Sequence, residues 1–228
     1  QETRIHYVIT RGGEAPNVVP DFAEVYYYVR HPQAEKLQEL WKRVVDISSA
    51  AALGTGTDVE VEVMHGNHSL LPNEKLARQM HVNLTRVGGV RYNAEEQAFA
   101  EEISGSLGVG NFIGTEKEIL RFEVRQGMGS TDVGDVSWVV PTVGLRTSTW
   151  VPGTAPHSWQ AIAAGGTSIG TKGMRVASKA LSLTARDLFL DPALIEAGRR
   201  EFDRRRGEDF HYEALLGDRE PPLEYRLK

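Results

Sequence analysis

The feature that most limits what this chain can fold into is a change of hydrophobic period near residue 66. Before it, apolar residues mostly alternate with polar ones; after it, they recur every three or four residues. Ile5, Tyr7 and Ile9 alternate with Arg4 and His6, and Val25, Tyr27 and Val29 alternate with Glu24, Tyr26, Tyr28 and Arg30. A period of two puts one set of side chains on one face of a strand. Gly12-Gly13 breaks the first strand and Pro32 stops the second, because one residue frees the backbone and the other removes a donor. Leu37, Leu40, Trp41, Val44, Val45, Ser48 and Ala52 keep helical spacing, which predicts an amphipathic helix with Gly54 as its left-handed cap. Val59, Val61 and Val63 alternate with Asp58, Glu60 and Glu62 and predict a third strand with one wet face. Residues 1–66 thus read β-β-α-β.

Residues 67–228 predict a second, α/β unit. His65-Gly66-Asn67-His68 marks the transition. Pro72 and Asn73 open a helix striped by Leu76, Met80, Leu84 and Val87, and Gly88-Gly89 closes it. Asn93 and Glu96 have capping-box spacing ahead of Phe99, Ile103 and Leu107. The pairs Glu95-Glu96 and Glu101-Glu102 invite a reading as catalytic carboxylates, but a capped, solvent-facing helix explains them with less. Residues 119–125 and 137–145 have strand character and flank the glycine-rich loop Gly127-Met128-Gly129-Ser130-Thr131-Asp132. Met174 to Phe189 predicts a helix rich in Ala and Leu. Asp191-Pro192 begins a last, charged helix, and Pro221-Pro222 an extended tail. No internal repeat is visible.

Composition removes several classes of function. With 40% hydrophobic and 25% charged residues, this is the make-up of a globular protein rather than a disordered one. The net charge of −5 and the scatter of Lys and Arg argue against a nucleic-acid partner. Arg204-Arg205-Arg206 follows Arg199, Arg200, Glu201 and Asp203 and reads as a solvated helix face. The absence of cysteine excludes disulfides and thiolate chemistry and fits a cytoplasmic setting. No apolar run is long enough for a membrane-spanning helix. The chain opens Gln1-Glu2-Thr3-Arg4 without Met and enters a strand pattern at once, so it reads as truncated.

No Gly-x-Ser-x-Gly elbow, phosphate loop or His-Glu-x-x-His motif is present. Gly105, Gly108 and Gly110 follow a helix instead of opening one, which argues against a dinucleotide site. Three features remain. They are Asn17 within Gly12-Gly13-Glu14-Ala15-Pro16-Asn17-Val18-Val19-Pro20, Arg30 thirteen residues later, and His157 within Gly153-Thr154-Ala155-Pro156-His157-Ser158-Trp159. Singly, they read as a turn residue, a surface charge and a loop histidine. Taken in order, these stretches and the segment Gly129 to Pro141 resemble the aminoacylase and glutamate-carboxypeptidase family of dinuclear-metal hydrolases. Within that family they resemble its aminobenzoyl-glutamate hydrolase branch in particular.

The resemblance implies an antiparallel-sheet dimerisation lid with helices on one face over residues 1–66, incomplete at its N-terminus, joined to the C-terminal part of a mixed-sheet α/β metallohydrolase domain over 67–228. It makes His157 the last ligand of a centre of two divalent ions, zinc or manganese. It makes Asn17 and Arg30 the lid pair that reaches across a homodimer to the carbonyl and carboxylate of an N-acyl or N-aroyl amino acid. It puts Asp132 in a loop near the site, in a role it leaves unassigned. Arg suits a carboxylate because its planar fork binds two oxygens and stays charged. The family's His-x-Asp motif and the Glu-Glu pair carrying the general base have no counterpart in these residues, so the base is expected upstream of Gln1 and this chain alone is expected to be inactive. The resemblance leaves room for a partner subunit. The remaining histidines read blandly: His6 as a packing or surface residue on its strand, His65 and His68 as a polar turn, with a metal pair as their alternative. The competing reading of the whole is a non-catalytic, dimerising, carboxylate-binding module or a decayed relative.

Overall fold

Among the described residues the chain forms one two-stranded antiparallel sheet and seven α-helices, a mixed α/β architecture. The computed structural model describes residues 2–124, 127, 129–216, 220 and 223. It divides into two compact units: Gln1–Leu70 with Ser130–Asp135 and Tyr212–Lys228, and Leu71–Gly129 with Val136–His211.

In the first unit, β1 (Arg4–Arg11) and β2 (Glu24–Arg30) pair as their alternation predicts, with Tyr7 opposite Tyr27 and Arg4 opposite Arg30. The register slips between Ile9 and Arg11, where the hairpin opens into its loop. Helix α1 (Ala34–Thr55) follows and runs past Gly54. The Thr55 hydroxyl donates back to the Ala51 carbonyl at 2.9 Å and holds the last turn. The left-handed cap is therefore Gly56, at φ 66°, and not Gly54.

The alternation at 59–63 forms no strand, nor do the runs at 119–124 and 137–145. Alternation is necessary for a strand, but the ladder also needs a partner, and only β1 and β2 find one among the described residues. Val133, Val136 and Val140 also stand three and four residues apart, and the helical reading wins there as α4 (Val133–Val139). The tail at Pro221-Pro222 lies outside the described residues, as do Arg125 and Met128.

The second unit is helical. Asn73 caps α2 (Glu74–Val87) by accepting from the Leu76 N–H at 3.2 Å. Asn93 and Glu96 make the expected capping box at α3 (Ala94–Gly105). Ser158 caps α5 (Trp159–Gly165), Thr167 caps α6 (Ser168–Leu190), and Asp191 caps α7 (Pro192–Arg206). Leu76 and Met80 on α2, Ala180 on α6 and Phe202 on α7 are buried. A second core joins Ala100 and Ile103 of α3 to Val151, Ala164 and Ile169. Full burial of each branched side chain stabilises by about 1.5 to 3 kcal/mol.

Two carboxylates that read as solvent-facing prove buried. Glu96 is 5% exposed and Glu201 6%. Glu201 accepts from the Lys75 N–H at 2.8 Å and from Arg205 Nε at 2.7 Å, so α7 is tied to the start of α2. Arg199, Arg200 and Arg204 are exposed as expected, whereas Arg206 is half-buried, with its guanidinium 4.8 Å from the centre of the Phe202 ring.

Candidate functional site

The hairpin carries Asn17 and Arg30 at opposite ends. Asn17 sits in the exposed turn of the 12–23 loop, where the Val18 N–H donates to the Ala15 carbonyl at 3.1 Å. Arg30 closes β2, and its guanidinium lies 5.1 Å from the centre of the Tyr28 ring. Six residues of strand separate the loop from Arg30, a rise of about 20 Å. The two side chains flank the strand pair instead of converging within it. Arg4, which the sequence pattern did not single out, stands directly across from Arg30. His6 faces Tyr28 across the ladder and is exposed.

Asp132 is exposed and immediately precedes α4. Its carbonyl accepts from the Asp135 N–H at 3.1 Å, and its carboxylate accepts from the Thr131 hydroxyl at 3.4 Å. Asp135 is the better-connected acid. It accepts from the His68 N–H at 3.3 Å and from the Tyr212 hydroxyl at 3.1 Å. Burial, and then the Asp135 carboxylate, push the Tyr212 phenol above its ordinary range. His68 Nε2 lies 3.0 Å from the Glu213 carbonyl, which can only accept, so that nitrogen carries the proton and donates. Its ring also lies 5.6 Å from that of Tyr212.

His157 has the most unusual backbone. At φ 61° it is the one non-glycine with positive φ among the described residues, a conformation that costs an L-residue about 1 to 2 kcal/mol. It is exposed, and the chain on either side of it is fixed. Val151, 1% exposed, anchors the loop before it, and Ala164, fully buried, anchors α5 after it. Ser158 donates to the Ala155 carbonyl at 2.7 Å and accepts from the Ala161 N–H at 3.2 Å. Gly153, at φ 91°, lets the loop lie against Phe112, which a Cβ would meet at 3.0 Å. The Thr154 hydroxyl is buried without a hydrogen-bond partner, and an orphan of that kind costs about 1 to 3 kcal/mol.

One imidazole does not make a metal centre. No group of three or more His, Cys, Asp and Glu able to hold an ion occurs among the described residues, and a metal site needs at least three protein ligands. The residues present offer one donor and do not by themselves fit the two ions expected from the sequence. An open concavity of about 340 Å³ at the C-terminal end of α3 is lined by Glu101, Ser104, Gly105, Gly108, Val109 and Asn111 and includes none of the candidate residues. No helix of the described residues is long and apolar enough to cross a membrane.

Comparison with known proteins agrees with the resemblance read from Asn17, Arg30 and His157. Residues 1–56 match the family model of a peptidase dimerisation domain. The chain is 36% identical to a subunit of the p-aminobenzoyl-glutamate hydrolase of Escherichia coli (strain K12), over 88% of its own length and 47% of that protein. It is 31% identical to Xaa-Arg dipeptidase of Mus musculus, over 87% of its length and 40% of that protein. The Homo sapiens Xaa-Arg dipeptidase is 30% identical, over 90% of this chain and 41% of that protein. The chain therefore spans about half the length, or somewhat less, of the curated relatives it matches.

Proposed function

We propose, from its similarity to p-aminobenzoyl-glutamate hydrolase and Xaa-Arg dipeptidase and from its match to a peptidase dimerisation domain, that this chain belongs to a metal-dependent amidohydrolase cleaving an N-acyl or N-aroyl amino acid. Aminobenzoyl-glutamate leads the substrate candidates because a relative's name specifies it. We assign residues 1–66 to the lid and 67–228 to the C-terminal part of the catalytic domain. The complete enzyme is proposed to be a cytoplasmic homodimer holding two divalent ions, zinc or manganese, with room for a further partner subunit. The ions would supply an activated water and a polarised amide carbonyl.

What these residues contribute follows from their chemistry. Arg30, at the end of β2, offers a planar fork for the substrate carboxylate. Asn17 offers carboxamide N–H groups to a carbonyl oxygen. Because the two lie at opposite ends of the hairpin, the reading has them meet substrate in a partner's site and not over their own strands. Asp132 is assigned to ordering the loop ahead of α4, and His157 to presenting an imidazole as one ligand.

The observation that carries the reading is the backbone of His157. Strain retained at an exposed histidine, beside a buried orphan hydroxyl and between two anchored segments, is how functional positions depart from their surroundings. The test is His157→Ala in the complete protein, with bound metal measured by elemental analysis. Even the loss of a residue that merely supports a ligand weakens metal binding about 10- to 100-fold, so affinity should fall at least that far and metal should be lost at limiting free ion. Unchanged occupancy overturns the assignment.

The incomplete ligand set favours a second reading, a dimerising module that binds a carboxylate without turning it over. The 228-residue chain is expected to show no metal-dependent amidase activity. Turnover by the pure chain would refute both that module and the requirement for further ligands from outside these residues.

A further inference from the structure

Three carboxylates of the helical unit are buried, and each holds something different. Glu116 accepts from the Gly114 N–H at 2.6 Å and closes its own turn. Glu201 ties α7 to α2. Glu96 reaches another helix. Its Oε2 accepts from the Asn93 N–H at 2.7 Å and from the Lys172 ammonium, and its Oε1 accepts from the Ser168 hydroxyl at 2.7 Å. Lys172 also donates to the Arg91 carbonyl at 2.9 Å. Ser168 and Lys172 stand four residues apart on one face of α6, so Glu96 clamps the first turns of α6 to the start of α3.

That clamp lies where the chain leaves the His157 corner. Only Gly166 and Thr167 separate α5 from α6. Thr167 locks the joint, donating from Oγ1 to the Ala164 carbonyl at 2.6 Å and accepting from the Ile169 N–H at 3.2 Å. At Gly170 the helices touch backbone to backbone, since a Cβ there would fall 2.1 Å from the Gly165 carbonyl oxygen. A shift of the first turn of α6 must therefore move α5, whose cap is the residue after His157. The other end of the loop, Val151, packs in one core with Ala100 and Ile103 of α3 and Ile169 of α6. The segment bearing His157 is thus gripped at both ends by the two helices that Glu96 joins.

We infer that Glu96 is a positioning residue for His157: by clamping Ser168 and Lys172 it fixes the α5–α6 corner against α3 and holds the His157 backbone in its left-handed conformation. The physical need is plain, because a strained conformation persists only where its surroundings over-determine it, and the cap by Ser158 alone is local. The functional weight of the inference rests on the reading of His157 as a site residue; its structural content does not.

Hydrogen exchange on the complete protein tests it, with Glu96→Gln beside Glu201→Gln as a control of the same chemistry. Glu96→Gln keeps shape and an acceptor oxygen but loses the charge that faces Lys172. Amides of α5 and of the 152–158 loop should then exchange about tenfold faster or more, while those of α2 keep their rates. Glu201→Gln should do the reverse, loosening the start of α2. Lys172→Met, at a residue that is one-third exposed, repeats the loop effect more mildly and serves if Glu96→Gln fails to fold. Unchanged loop exchange in these variants overturns the inference. So does loosening of the loop by Glu201→Gln to the same degree at matched global stability, which would make Glu96 an ordinary stabiliser. Metal occupancy unaffected by His157→Ala would instead remove the ligand reading and leave the exchange result standing.

Discussion

The β1–β2 hairpin and the corner from Val151 to Ile169 both carry residues assigned to substrate or metal, and they hold them in opposite ways. No residue of β1 or β2 is buried: Tyr7 is 67% exposed, Ile9 60% and Val25 41%. The corner has Val151, Ala161, Ala164 and Ile169 all at 5% or less. A two-stranded ribbon is marginal alone, and apolar exposure on this scale marks an interaction surface, in keeping with the dimerisation-domain match over residues 1–56. The corner is complete within its own unit and can store strain at His157; the hairpin cannot. The two sets of residues therefore acquire position by different routes, one from packing within the chain and the other from whatever covers the sheet.

The strongest way to break that contrast is complementation in the complete enzyme. Arg30→Ala and His157→Ala homodimers should each be nearly inactive, because truncating a hydrogen-bonded charge partner costs about 2 to 5 kcal/mol or more. After subunit exchange, half the dimers are hybrids under random pairing. Each hybrid has one site with both defects and one with neither, so activity should recover to about one quarter of the unmutated level. If mass spectrometry shows exchange and activity stays at background, Arg30 serves its own chain's site and the hairpin needs no partner to place it.

A smaller effect separates the two regions by stability. In the 228-residue chain, Ile169→Ala empties a fully buried site and should cost about 2 to 5 kcal/mol. Ile9→Ala removes an exposed side chain and should stay within about 0.5 kcal/mol. Denaturant melts of the two variants decide it. Ile9→Ala becoming costly only in the complete dimer would sharpen the contrast, by locating the cover of the sheet at the subunit interface. A large cost in the isolated chain would show that the hairpin is packed without a partner.

The parts of this fold legible in the sequence are those fixed by short-range chemistry. The capping box of Asn93 and Glu96, the Asp191-Pro192 start and the paired alternations of 4–11 and 24–30 all came through, since each needs only its neighbours or one nearby turn. The strands read at 59–63 and over the described part, 119–124, of the second run did not, because a ladder partner is a property of the fold and not of the run. The cap moved from Gly54 to Gly56 because a threonine hydroxyl carries the helix past the point where glycine alone would have stopped it. At the candidate site, Asn17, Arg30 and His157 stood out by motif, whereas Arg4 needed the register. Glu96 was visible only as a cap; its burial comes from Ser168 and Lys172, more than 70 residues away.

The smallest expected effect tests the strain itself, and runs against the usual direction of mutation. Replacing an exposed helical residue such as Lys179 by Gly should cost about 1 kcal/mol. At His157 the same replacement removes a left-handed penalty of about 1 to 2 kcal/mol while adding chain entropy to the unfolded state worth about 0.5 to 1 kcal/mol. The balance should leave His157→Gly as stable as the parent or more stable by up to about 1.5 kcal/mol, with each kcal/mol worth a rise of about 2 to 4 °C in Tm for a chain of this size. The ring is exposed, so its loss subtracts little packing. The same variant of the complete enzyme should bind metal poorly, and stability gained as function is lost is the signature of a position held under strain for its chemistry. A His157→Gly chain that melts about 1 kcal/mol below the parent would mean that the corner holds His157 without tension, and the contrast with the hairpin would then be one of burial alone.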